Sequence, residues 1–305
     1  MKRALLINPQ FNIAKENYDS SISVGLLSIA SYLDSKGIGV KIVDCVRETN
    51  YLKKIRKYAR STDYVGISVM TTQLSNALRL SKLVKKVNPS CRVVWGGPHA
   101  TFFKEQCVES KFVDMVCVGE GEETFYEIVN GVDPEKILGI VYKKDGDIKK
   151  TSARPLHDPT KMPLFNWDLI APEVLYNLKL VPTLTSRGCP HICSFCINAI
   201  LKLKWRQRTA EQVLVDLEVI KSKTYFKGKK LRFWDENFFV DIKRAKTIVK
   251  GMIERNLITP WETTVRANYI RDGMIDNAFL KDIKQSGCYL LSFGAESGCP
   301  RILKK

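Results

Sequence analysis

The stretch that decides the reading is Thr185-Ser186-Arg187-Gly188-Cys189-Pro190-His191-Ile192-Cys193-Ser194-Phe195-Cys196. Its three cysteines stand at the spacing C-x3-C-x2-C. Thiolates are soft ligands that suit iron–sulfur clusters and zinc. A cubane cluster takes four cysteines as a rule. Here no fourth cysteine lies nearby in sequence, so one metal corner stays open for a small molecule. A zinc knuckle with His191 as fourth ligand would crowd four ligands into one short loop, tighter than zinc spacing allows. Disulfide pairing fits worse, because the total of nine cysteines is odd and no secretory signal precedes them.

The spacing, with aromatic Phe195 just before Cys196, resembles the signature of the radical S-adenosylmethionine (SAM) superfamily. The resemblance implies that Cys189, Cys193 and Cys196 hold a [4Fe–4S] cluster whose fourth iron is chelated by the amino and carboxylate groups of SAM. It implies reductive cleavage of SAM to a 5′-deoxyadenosyl radical.

Composition sets the outer bounds. At 305 residues the chain has room for two domains. No apolar run approaches the ~20 residues of a membrane span. The start, Met1-Lys2-Arg3-Ala4-Leu5-Leu6-Ile7-Asn8, is too short for a signal peptide and reads as a strand of a cytoplasmic protein. The formal charge of +17 comes from 49 Lys and Arg against 32 Asp and Glu. These cations are scattered over polar helix faces, such as Lys82, Lys85 and Lys86. No basic, aromatic-interleaved motif marks a specific nucleic-acid site.

Ahead of the cysteine loop, residues 1–130 alternate short apolar runs with amphipathic stretches. The runs are Ala4–Ile7, Val40–Val43, Tyr64–Val69, Arg92–Trp95 and Met115–Val118. Helical faces lie between them, such as Val24, Leu27, Ala30 and Leu33, which stops near Gly37. Five βα units predict a flavodoxin-like, Rossmann-like doubly wound α/β domain, with ligands at the carboxyl ends of its strands. The first strand runs into a long loop, Asn8 to Ser23. Other strand ends carry Ser68-Val69-Met70-Thr71, Gly96-Gly97-Pro98-His99 and Gly119-Glu120-Gly121-Glu122.

Together these ends resemble the cobalamin-binding (B12-binding) domain found ahead of many radical SAM domains. The resemblance implies a cobalamin site at Ser68, Met70, Thr71, Gly96, Gly97, His99, Gly119, Glu120 and Gly121. The Asp-x-His-x-x-Gly motif of mutase-type cobalamin domains is absent, so no motif histidine is expected beneath the cobalt. Methylthiotransferases share this layout, but use three N-terminal cysteines for a second cluster. Cys45, Cys91, Cys107 and Cys117 read instead as core residues.

Residues 131–179 are expected to connect the domains, through a β-hairpin turning at Asp145-Gly146 and a strap from Pro155 to Pro172 whose Phe165 and Trp167 pack an interface. From 180 to 305 strands and helices alternate again, predicting the first four strands of a partial TIM barrel of the (β/α)6 radical SAM type. Thr209–Gln212 is a capping box and Asp241 a helix cap. By position the resemblance assigns Phe195, Asp235, Arg266, Glu296 and Ser297 to SAM. The family barrel has six units, so the chain reads as truncated after about four strands, with its fourth strand an open edge.

The implied function is SAM radical chemistry, with cobalamin-dependent methyl transfer to an unknown small-molecule or lipid substrate, fed by a reductant such as ferredoxin or flavodoxin. The alternatives are a cyclase, rearrangement or methylthiolation enzyme without cobalamin, and a non-catalytic iron–sulfur binding protein.

Overall fold

The structure, a computed structural model, describes residues 2–12 and 22–303. The middle of the long loop expected after the first strand, 13–21, lies outside the described residues. The chain forms two compact units, Met1–His157 with Met162–Asn177, and Asp158–Lys161 with Leu178–Lys305.

The first unit runs β1 (Arg3–Asn8), α1 (Val24–Ser35), β2 (Gly39–Asp44), α2 (Tyr51–Ala59), β3 (Tyr64–Ser68), α3 (Leu74–Val87) and β4 (Arg92–Gly96). It continues with α4 (Pro98–Phe102), α5 (Lys104–Glu109), β5 (Met115–Cys117), α6 (Glu122–Val129), β6 (Ile140–Lys144), β7 (Asp147–Lys150) and α7 (Pro172–Tyr176). The first five strands pair in parallel in the order β2-β1-β3-β4-β5. That is the flavodoxin-like order the sequence predicts. Period-two alternation splits β1 between two cores: Leu5 and Ile7 enter one, Ala4 and Leu6 the other. Buried faces on both sides explain why these strands read as continuous apolar runs.

The hairpin differs from its expected place as a connector. Asp145 and Gly146 do turn it, with φ of 53° and 87°, as a type I′ turn requires. Its strand β6 pairs antiparallel with β5, and β7 with β6, so both extend the first sheet. Most of the following strap also belongs to this unit, while Asp158–Lys161 group with the second. Asn166 N donates to Ser31 Oγ at 2.9 Å and its Nδ2 to Asp34 Oδ2 at 2.9 Å, both on α1, while Trp167 is buried.

A buried carboxyl at the end of β2 makes this unit pH-sensitive. Asp44 Oδ1 accepts from Asn8 Nδ2 (3.2 Å) and Val46 N (3.0 Å), and burial pushes its pKa up to about 6. A raised carboxyl favours the protonated native state. Its contribution is complete below the ordinary range near 3.8 and is lost as pH rises through about 6. The expected size is of order 3 kcal/mol. Asp44→Asn should therefore gain on wild type as pH rises from 4 to 7. Denaturant unfolding at both ends reads the difference; a gap that stays constant would show that Asp44 titrates normally.

The second unit runs β8 (Leu180–Thr183), β9 (Ser186–Arg187), α8 (Ile197–Leu201), β10 (Arg206–Gln207), α9 (Ala210–Ser222) and β11 (Lys230–Phe233). It closes with α10 (Ile242–Glu254), β12 (Trp261–Val265), α11 (Asn277–Gln285), β13 (Cys288–Phe293) and α12 (Pro300–Leu303). Strands β8, β11, β12 and β13 form a parallel sheet in chain order, with β13 at one edge. The capping box is present: Thr209 Oγ1 accepts from Gln212 N, and Gln212 Oε1 from Thr209 N. Asp241 caps α10 through Arg244 N at 3.0 Å. No helix among the described residues is long and apolar enough to cross a membrane.

Candidate functional site: a cysteine loop at the strand ends

The cysteine loop leaves the sheet after β8 and is pinched at its neck. There β9 pairs antiparallel with β10, Arg187 against Arg206 and Ser186 against Gln207. At the neck Gly188 has a φ of +77°, and a Cβ on it would lie 2.5 Å from Lys204 O and 2.6 Å from Leu203 O. Only glycine lets the two limbs cross this closely.

Three elements fasten the loop from below. Asp235, which follows β11, is 3% exposed; its carboxylate accepts from Thr185 N (2.7 Å), Thr185 Oγ1 (2.5 Å) and Ser186 Oγ (2.6 Å). Burial raises its pKa, against the pull of those three donors. Glu236 Oε2 accepts from Gly188 N at 3.2 Å. From α10, buried Arg244 donates to Thr185 O (2.8 Å) and Arg208 O (2.7 Å).

A third tie comes from Tyr269, just past β12. Its hydroxyl accepts from Asn237 Nδ2 at 3.1 Å and lies 2.9 Å from His191 Nε2. The hydroxyl keeps a proton and a second lone pair, so it can donate to Nε2 or accept from it according to the ring's tautomer. Burial and nearby Arg266 lower the His191 pKa, in agreement with a neutral ring. Either way Nε2 is engaged by Tyr269, which weighs against its serving as the fourth ligand of a Cys3His zinc site. Beside it, Arg266 Nη1 donates to Cys193 Sγ at 3.5 Å.

The donor set fits a cluster with three protein ligands. Cys189, Cys193 and Cys196 are half-exposed thiols on one loop. Cys196 sits immediately before α8, where its N–H donates to Cys193 O. The sulfurs are not drawn to metal-ligand distance: among the described residues no three His, Cys, Asp or Glu side chains are so gathered. Five other cysteines are poor donors. Cys45, Cys91, Cys107, Cys117 and Cys288 are buried, and burial pushes their thiols up, to about 12 for Cys91 and Cys117 and about 11 for Cys107 and Cys288. A thiol held protonated is a poor metal ligand. Among the described residues the N-terminal cysteines are thus poor donors for a second cluster of the methylthiotransferase kind.

In the first unit, the residues expected to meet cobalamin stand at the carboxyl ends of β3, β4 and β5. Gly97 has a φ of +87°, and a Cβ on it would meet Ser68 Oγ and Val69 N at 3.0 Å. Gly96 O accepts from Val69 N at 2.8 Å, and Val69 O from His99 N at 3.0 Å. Thr71 Oγ1 lies 3.1 Å from His99 Nδ1, and the His99 ring packs on Phe103. Gly119 N donates to Thr101 Oγ1, and a Cβ on Gly119 would meet nothing within 4 Å. Glu120 Oε2 accepts from His157 N at 2.7 Å, and Gly121 packs under Ile29. Met70 is exposed. The edge is lined by glycines, with His99 engaged by Thr71, which suits a bulky ligand lying across it.

Residues 15–129 match the family model of the B12 binding domain. The chain is 33% identical, over 92% of its length and 62% of the relative's, to an uncharacterized methyltransferase of Pyrococcus horikoshii. It is 26% identical, over all of its length and 67% of the relative's, to the cytidylyl-2-hydroxyethylphosphonate methyltransferase of Streptomyces wedmorensis. Its fold matches the cobalamin-dependent SAM radical enzyme OxsB, solved with aqua-cobalamin and SAM, at a TM-score of 0.83 and 21% identity. That match covers 100% of this chain and 45% of the solved one. The chain thus carries a match to the B12 binding domain in its first unit and shares the fold of a cobalamin-dependent SAM radical enzyme. It spans about three fifths of its Pyrococcus relative's length.

Within the second unit, the five positions assigned to SAM separate. Phe195 is 67% exposed on the cysteine loop, open to a ligand. Arg266 reaches the loop's central sulfur. Glu296 stands after β13 in a left-handed conformation (φ 58°), its carboxylate folded back over Gly294. Ser297 Oγ accepts from Cys299 N at 3.0 Å. Asp235 turns inward: both its oxygens are taken by Thr185 and Ser186, and it holds the loop's base. The residues that sequence reasoning missed are Glu236, Asn237, Arg244 and Tyr269, none of which has a local pattern that announces a long-range partner.

Proposed function

We propose that this chain carries the cofactor-binding part of a cobalamin-dependent radical SAM methyltransferase. The observation that carries the reading is the cysteine loop: three accessible thiols, fastened at the carboxyl ends of a parallel sheet, follow a B12-binding domain. Cys189, Cys193 and Cys196 would hold a [4Fe–4S] cluster. Phe195, Glu296 and Ser297 would face SAM, with Arg266 beside them at the Cys193 sulfur. Ser68, Met70, Thr71, Gly96, Gly97, His99, Gly119, Glu120 and Gly121 would border cobalamin. Bound together, these groups supply reductive cleavage of SAM and a carrier for the methyl group.

The chain's own residues position and exclude. The neck at Gly188 and the Asp235 and Tyr269 ties hold three sulfurs on one short arc. The glycines at this edge would let a cobalamin or its tail approach the backbone closely. A cytoplasmic setting with a ferredoxin or flavodoxin as electron donor fits the need for a reductant.

Anaerobic reconstitution with iron, sulfide, SAM and dithionite tests the first part. 5′-Deoxyadenosine should form with SAM consumption; an intact cluster that yields none would reduce the unit to a carrier. Cobalamin titration followed by absorption tests the second. A base-off spectrum is expected, because His99 is engaged by Thr71 and no mutase-type histidine motif is present. Absence of binding would remove methyl transfer and leave radical chemistry without cobalamin.

A further inference from the structure

We infer that Arg266 sets the reduction potential of the cluster, through a charged hydrogen bond to the Cys193 sulfur. The inference rests on the proposed placement of a cluster on the cysteine loop. Position along the chain pointed Arg266 towards the SAM carboxylate. The geometry points to the sulfur, with Nη1 at 3.5 Å from Cys193 Sγ.

Three further observations support this role. First, the guanidinium is not neutralised. Among the described residues no carboxylate pairs with Arg266, whereas Arg208 has Asp216 at 3.2 Å and Arg255 has Glu211 at 2.5 Å. Second, it is half-buried and its Nε is buried without a partner. Solvent therefore screens its charge less than it would on an open surface. Third, its backbone is fixed. Arg266 directly follows β12 and opens the 3-10 turn Ala267–Tyr269. The same turn carries the Tyr269 hydroxyl that grips His191, two residues before Cys193. One short element thus holds the loop with its tyrosine and presents a cation to the loop's central sulfur with its arginine.

The electrostatics give the sign. Reduction adds one negative charge to the cluster and its thiolates. A cation bonded to a ligating sulfur stabilises the reduced form more than the oxidised one, and hydrogen bonds to sulfur are a known lever on cluster potential. Removing it makes the cluster harder to reduce.

The test is the midpoint potential of the reconstituted full chain, without SAM, by redox titration followed by electron paramagnetic resonance. Poised at the wild-type midpoint, Arg266→Met should show about tenfold less reduced relative to oxidised cluster, a shift of ~59 mV to more negative potential. Arg266→Gln should shift less and Arg266→Lys least, because lysine keeps the charge without the fork. An unchanged midpoint in Arg266→Met at full iron content would overturn the inference. So would an unchanged midpoint accompanied by weaker SAM binding, which would assign Arg266 to the SAM carboxylate. If Arg266→Met retains too little iron to titrate, a wild-type midpoint in Arg266→Gln overturns it equally. Wild-type protein that takes up no cluster would sink the underlying assignment as well, and is told apart by its iron content.

Discussion

Protein in which Cys189, Cys193 and Cys196 are all alanine should leave anaerobic reconstitution with at least about tenfold less bound iron and sulfide than wild type. It should form no 5′-deoxyadenosine above the unreconstituted background. Losing even an outer-shell partner costs a metal site about 10–100-fold in affinity, and here the whole donor set goes. The prediction is sharp because the alternatives are closed off in the structure. Five of the other six cysteines are buried with raised pKa values, and only Cys299 remains exposed. A Cys299→Ala control should keep its iron. Triple-alanine protein that retains a full complement of iron would place the cluster elsewhere and remove the basis of the proposed function. The fold itself should survive, because the three side chains are only half buried and belong to a loop, not to the sheet.

This loop was legible in the sequence for a physical reason. Metal ligation by a short loop leaves its signature in local spacing. Doubly wound topology is legible similarly, since buried parallel strands must be apolar on both faces. The caps at Thr209 and Asp241 are contacts over a few residues, and both were readable. What failed to show was pairing at a distance. The hairpin at Asp145-Gly146 was visible, but nothing in its own residues says that β6 docks on β5. The Asn237–Tyr269–His191 tie joins residues 32 and 78 positions apart, and no periodicity records it. Asp235 was found, but its partners Thr185 and Ser186 were not. An aspartate at a strand end looks the same whether it faces a ligand or a backbone, and only its burial tells the two apart.

That burial makes Asp235→Ala the most damaging single change expected in the second unit. The substitution strips the acceptor from Thr185 N–H and from the hydroxyls of Thr185 and Ser186, which are 0% and 1% exposed. Water cannot reach them without opening the neck. Unsatisfied buried donors cost about 1–3 kcal/mol each, though not additively. A total of about 3–5 kcal/mol is expected, among the largest values seen for point changes. Asp235→Asn should cost less, since its oxygen can still accept from Thr185 N. The pH dependence separates a lost hydrogen-bond acceptor from a lost charge. Burial raises the Asp235 pKa, so the native state favours its protonated form. Its contribution is complete below the ordinary carboxyl range and is lost as pH rises through the raised value. The penalty of Asp235→Asn should therefore be greatest in acid and shrink towards neutrality. Denaturant unfolding from pH 4 to 8 measures it. A penalty that grows with pH would mean that Asp235 stabilises the unit as a carboxylate, with Arg244 as its working counter-charge.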